Sequence, residues 1–112
     1  MTTKTFIVTV SNPGSGNRYY IDGVLQATVN LAQEGTYRFD QSDSSNATHP
    51  LRLSETSDGT HGGGSEYTTG VTTSGTPGSP GAYTEIVVAR GAPNPLYYYC
   101  TNHSGMGGQA NT

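Results

Sequence analysis

The sequence predicts an all-β domain, built as an antiparallel β-sandwich or barrel of seven to eight short strands. Three observations support this fold class. Short segments alternate apolar and polar residues with the period of two that is typical of half-buried strands. Turn sequences rich in Gly, Pro, Asn and Asp separate these segments at roughly even spacing. No segment carries an apolar stripe of helical period over a useful length.

The N-terminal part of the chain predicts a strand followed by a hairpin. Phe6, Val8 and Val10 occupy alternate positions, which places them on one face of the first strand. Residues 19–25 predict a hairpin, because Asp22-Gly23 at its centre supplies the positive φ angles that a two-residue turn requires.

Three further strands are predicted before residue 54. Residues 26–31 and 36–40 alternate in the same way, and Glu34-Gly35 between them predicts a turn. In residues 49–53, His49 shares an apolar face with the two leucines of the segment. His49 is therefore expected at the inward-facing start of a strand.

Residues 54–82 are rich in Gly, Ser, Thr and Pro and show no strong periodicity. A loop of this length is unusual in so small a domain, so we expect a short strand near Tyr67 to Val71. Residues 83–88 and 96–100 return to strand-forming apolar and aromatic residues and complete the predicted set.

The composition predicts a thin core. Leu, Ile, Val and Phe make up about 15% of the chain and Gly, Pro and Ser about 29%, close to the values of disordered proteins. The net charge of only −3 and the eight Tyr favour a folded domain instead. The single cysteine, Cys100, cannot form an internal disulfide. We therefore expect a bound metal ion to stabilise the fold in place of a disulfide.

Charge and hydropathy exclude two classes of partner. Five scattered basic residues form no stripe for phosphates, so nucleic-acid binding is not expected. No run approaches the roughly 18 apolar residues of a membrane span, and the first apolar stretch is too short for a secretory signal. We expect residues 1–112 to form one domain, monomeric in isolation. It is either cytoplasmic or separated from a leader or a longer parent chain. Residues 107–112 leave little for a closing strand, which favours a longer parent chain.

Residues 100–106, with the sequence Cys-Thr-Asn-His-Ser-Gly-Met, predict a metal site. If Cys100 points inward at the end of its strand, the following glycine-containing turn can bring His103 and Met106 back toward the sulfur. His49 completes a set of two imidazoles, one thiolate and one thioether. This donor set suits copper, because a trigonal site of two His and one Cys with a weak axial Met changes little between Cu(I) and Cu(II). Zinc accepts the first three ligands but has little use for Met.

The same segment, together with His49, resembles the blue-copper signature of the cupredoxins. The C-x2-H-x2-M spacing is most similar to the short amicyanin-type loop. The resemblance implies a Greek-key β-sandwich with one type 1 copper, His49, Cys100 and His103 as equatorial ligands and Met106 as the axial ligand. It also implies electron transfer to a redox partner protein, which the sequence does not identify. The expected location is then periplasmic or extracellular, after removal of a leader.

A looser similarity, to cupredoxin-like modules in structural proteins of marine phages, supports a second hypothesis. In it the domain is a structural or interaction module of a larger surface or virion protein, stabilised by copper or free of metal. Copper storage or delivery is a third hypothesis. We expect no enzymatic activity, because the chain has no nucleophile-elbow motif, no carboxylate pair in an apolar run and no His-Cys-His run.

Three residues around this motif carry further predictions. Many cupredoxins have Asn after the upstream His, and its backbone N–H donates to the sulfur, but this chain has Pro50, which has no N–H. We therefore expect one fewer hydrogen bond on the sulfur and a lower reduction potential. His61 is an alternative ligand or, as its glycine-rich surroundings favour, a solvated loop residue. Tyr99 is expected to point outward, either as an electron-uptake position or as an ordinary strand-surface residue.

Overall fold

The computed structural model describes residues 2–112 and confirms the all-β sandwich. The strands are β1 (Lys4–Ser11), β2 (Arg18–Ile21), β3 (Val24–Leu25), β4 (Val29–Asn30), β5 (Thr36–Asp40), β6 (Leu51–Ser54), β7 (Glu66–Tyr67), β8 (Val71–Ser74), β9 (Tyr83–Val87), β10 (Leu96–Cys100) and β11 (Gly108–Asn111). Three of them, β3, β4 and β7, have only two residues, so within the described part of the chain eight strands reach four residues or more. Two short 3₁₀ helices, η1 (Ser44–Asn46) and η2 (Gly59–Gly62), interrupt the loops.

The strands form two sheets that face each other. The first has six strands in the order β3-β2-β1-β5-β9-β8, and the second has five in the order β4-β11-β10-β6-β7. Most neighbours are antiparallel, as predicted, but β1 pairs with β5 and β11 with β4 in parallel. Parallel pairs require a connection that crosses the sandwich, which the alternation of residues along the chain does not reveal.

The core lies between the sheets, and five aromatic rings pack there among aliphatic side chains. Phe6 stacks on Phe39 with ring centroids 5.2 Å apart, and Tyr98 lies 6.1 Å from Phe39 and 6.3 Å from Tyr19. All four side chains are buried. The aromatic rings therefore add apolar volume to a core whose other side chains are mostly aliphatic.

Two predictions about the later part of the chain need correction. The expected single strand near Tyr67 to Val71 is a pair of strands, β7 and β8, which lie in different sheets on either side of a turn. Residues 107–112, predicted to leave little for a closing strand, contain β11, which pairs with both β10 and β4. In β11 only Ala110 is buried, so its sequence carries little apolar signal.

The register of the second sheet places the predicted site residues together. Cys100, the last residue of β10, pairs with Leu51, the first residue of β6. His49 lies two positions before Leu51 and is therefore next to Cys100. The backbone N–H of Thr101 donates to the carbonyl of Pro50 at 3.1 Å, which holds the two strands together beyond the ladder. Among residues 2–112, no helix has the length and apolar character needed to cross a membrane.

Candidate metal centre

His49, Cys100 and His103 come together at one end of the sandwich. The Nδ1 atoms of the two imidazoles are 3.1 Å apart, and the Cys100 Sγ lies 3.7 Å from that of His49 and 3.8 Å from that of His103. Metal–nitrogen bonds of about 2.0 Å and a metal–sulfur bond of about 2.3 Å to one central ion give separations of about 3 to 4 Å between ligand atoms. The three side chains are therefore close enough to bind one metal ion.

The three side chains differ in exposure. Cys100 is fully buried and His49 is 7% exposed, whereas His103 lies at the surface. The thiol is therefore shielded from solvent and from oxidants, while one imidazole of the cluster remains in contact with the outside.

Burial also affects the protonation of His49. Removal of its ring from water lowers the pKa of His49, and the neighbouring His103 lowers it further. A neutral imidazole is the form that binds a metal ion, so this environment favours the ligand state. Burial and, secondarily, the adjacent Cys100 side chain raise the pKa of Tyr19 well above its usual value, so its hydroxyl remains protonated.

Met106 is fully buried and belongs to the same hydrophobic core cluster as Cys100. Its backbone carbonyl accepts a hydrogen bond of 2.9 Å from the N–H of Tyr19 in β2. The loop after Cys100 therefore folds back over the end of the sandwich, as its sequence predicts, and places Met106 in the interior.

Two residues far away in sequence hold this loop, and no motif in the sequence points to either of them. The Gln26 side-chain amide donates to the carbonyls of Gly105 at 3.0 Å and Gly107 at 2.8 Å. The Asp58 carboxylate accepts from the backbone N–H of Gly105 at 3.0 Å. Gln26 and Asp58 have positive φ angles of 45° and 61°, which are unusual for residues with side chains. This backbone conformation is not apparent from the sequence pattern.

His61 does not belong to the cluster of three side chains. Its ring lies at the surface of η2, and its Nε2 is 2.8 Å from the backbone carbonyl oxygen of Cys100. Since a carbonyl only accepts hydrogen bonds, Nε2 must carry the proton. His61 is therefore exposed, as predicted, but it is hydrogen-bonded to the backbone of Cys100.

Tyr99 lies on the outer face of β10, as predicted, but it is buried rather than at the surface. Tyr99 is 1% exposed, because η2 covers the outer face of β10 at this position. Gly59 packs so closely that a Cβ there would lie 2.5 Å from the ring. His61 meets the same ring edge-on, with centroids 6.3 Å apart. The 3₁₀ helix η2, in a stretch without strand or helical periodicity, therefore forms a cover over this strand.

Comparisons of the chain with protein-family models, with curated proteins and with solved structures found no match.

Proposed function

We propose that this domain binds one copper ion through His49, Cys100 and His103, with Met106 as a weak axial ligand, and transfers single electrons. The observation that carries the proposal is the compact triangle of one thiol and two imidazoles, with edges of 3.1, 3.7 and 3.8 Å. The resemblance of residues 100–106 to the cupredoxin motif supports the same function.

The donor set favours copper over the other metals that bind Cys and His. Thiolate and thioether sulfur suit Cu(I), and imidazole suits both oxidation states. Copper bound here would accept and release one electron, alternating between Cu(I) and Cu(II). Structural zinc sites usually have four Cys, His or carboxylate ligands, whereas three such side chains meet here. The remaining sulfur donor proposed for the site is the buried Met106.

The surrounding residues support electron transfer rather than chemistry on a substrate. Cys100 and His49 are fixed in a buried environment, which limits rearrangement when the charge of the site changes. His103 is exposed, so its ring provides the shortest contact between the cluster and a partner at the surface. We propose that electrons pass through the His103 imidazole.

The decisive experiment is a titration of the metal-free protein with Cu(II), followed by the visible spectrum. We expect an intense thiolate-to-copper band at one equivalent and no such band in Cys100→Ser. Ser104→Ala is the matched control, because Ser104 lies in the same loop outside the ligand set, and it should keep the band. Zn(II) should bind without colour. A colourless copper complex would contradict the proposal.

A second function, as a structural module stabilised by the metal, also has a specific observation in its favour. The cluster joins residues that are 51 positions apart in a chain whose one cysteine is free. A metal ion that closes so long a loop would stabilise the fold as a disulfide does elsewhere. A large rise in Tm on copper binding without reversible voltammetry would favour this structural role over electron transfer.

A further inference from the structure

The backbone of His49 is held on both sides by buried groups. Its N–H donates to the carbonyl of Asn46 at 2.8 Å. Its carbonyl accepts two hydrogen bonds, from the Gln41 amide at 2.7 Å and from the Tyr19 hydroxyl at 2.6 Å. Gln41 and Asn46 are 1% and 0% exposed. Hydrogen bonds in so dry an environment are difficult to replace with water.

Both the nitrogen and the oxygen of the Gln41 side-chain amide form hydrogen bonds beside His49. Besides its bond to His49, its nitrogen donates to the Asn46 side chain at 3.1 Å, and its oxygen accepts from the N–H of Leu51 at 2.9 Å. The amide therefore spans Pro50, with one bond to the residue before it and one to the residue after it. A side chain here makes the pair of hydrogen bonds that a neighbouring strand would otherwise make.

Tyr19 connects the same point to the second segment of the cluster. Its hydroxyl binds the His49 carbonyl, while its backbone N–H binds the carbonyl of Met106 at 2.9 Å. Tyr19 of β2 thus holds both the His49 segment and the loop that follows Cys100. Every buried side-chain nitrogen and oxygen in residues 2–112 has a partner, so the network is complete in the absence of a metal ion.

We infer that Gln41, assisted by Tyr19, is a positioning residue of the metal centre: it fixes the His49 backbone so that the imidazole faces Cys100 before any metal binds. This inference rests on the proposed function for the identity of the metal. The arrangement of His49 and Cys100 is a property of the metal-free chain and can be tested separately.

The test compares Gln41→Met, which preserves size and removes the amide, with Ile86→Val, which loosens the core but loses no hydrogen bond. Both variants should be less stable to urea than the wild type. Only Gln41→Met should weaken Cu(II) binding, by about 10- to 100-fold, and broaden or shift the thiolate-to-copper band. Equal copper affinity in the two variants, compared under conditions in which both are folded, would overturn the inference.

Measurements on the metal-free protein keep the test independent of copper. In the wild type we expect nuclear Overhauser contacts between the His49 ring and the Cys100 β-protons, and we expect Gln41→Met to lose them. If the wild type bound no copper but showed this difference, the proposed function would fail and the positioning role would stand. If both proteins showed the same contacts, the positioning role would be refuted. Should Gln41→Met not fold, Tyr19→Phe removes one of the two bonds to the His49 carbonyl and should show smaller changes of the same kind.

Discussion

The two segments that form the candidate metal centre are built in opposite ways. His49 is held from the interior by the dry hydrogen bonds of Gln41, Asn46 and Tyr19. Residues 101–107, apart from the buried Met106, are held from the rim of the domain by Gln26 and Asp58, in hydrogen bonds that water can reach. The interior segment is therefore expected to determine the affinity for the metal, and the rim segment to determine how easily the exposed His103 moves.

The largest expected effect is that of the metal itself, because it joins the two segments. A ligand that binds only the folded state stabilises it by about 4 kcal/mol when its concentration is a thousand times its Kd. We expect copper to raise the free energy of unfolding by about this amount, as measured by urea denaturation with and without the metal. The increase should vanish in Cys100→Ser. An unchanged midpoint in the wild type would mean that the segments are not linked through the metal.

The next largest effect should come from Gly107, where the rim segment enters β11. A Cβ at Gly107 would lie 1.7 Å from the carbonyl oxygen and 2.6 Å from the carbonyl carbon of Tyr98, which are backbone atoms and cannot yield. We expect Gly107→Ala to cost at least about 3 kcal/mol of stability. Gly91→Ala, at a positive φ but with open space around it, should cost only about 1 kcal/mol. Similar urea midpoints for these two variants would show that the backbone at Gly107 and Tyr98 can shift to accommodate a Cβ.

Gln26→Met is the rim counterpart of Gln41→Met and sharpens the comparison directly. Both substitutions replace an amide that makes hydrogen bonds with backbone carbonyls. Because the carbonyls bound by Gln26 lie nearer to solvent, water can replace the lost donor, and we expect a loss of about 1 kcal/mol. Copper affinity should fall by only a few-fold, as measured by competition with a chelator. A larger loss of affinity than that of Gln41→Met would reverse the roles assigned to the two segments.

The contrast between the segments also explains what could be predicted from the sequence. Cys100 and His103 are close in sequence and follow a strand, so the local pattern was sufficient to predict that they lie close together. His49 could be added because strand periodicity gave the direction of its side chain. Gln41, Gln26 and Asp58 carry no such signal. Gln26 is 79 residues from Gly105, and the role of Gln41 depends on the local path of the chain around Pro50.

The same argument applies to the fold. Alternation predicted the longer strands, because each needs one buried face. It did not predict β11, whose contribution is the backbone ladder to β10 and β4, nor the cover over Tyr99, which depends on the close approach of Gly59. Features that depend on backbone contacts between distant segments are therefore the ones that require the structure.

The smallest effect is expected at His61, which touches the cluster only through the carbonyl of Cys100. Its hydrogen bond of 2.8 Å is partly exposed, so its loss in His61→Phe should cost about 0.5 kcal/mol. His61→Gln retains a donor and is the matched control. Since the bond reaches the backbone rather than the sulfur, copper affinity should change less than in Gln26→Met. A loss of copper affinity in His61→Phe as large as that in Gln41→Met would place His61 among the residues that position the centre. The helix η2 would then be a third support of the metal centre, beside the interior residues and the rim residues.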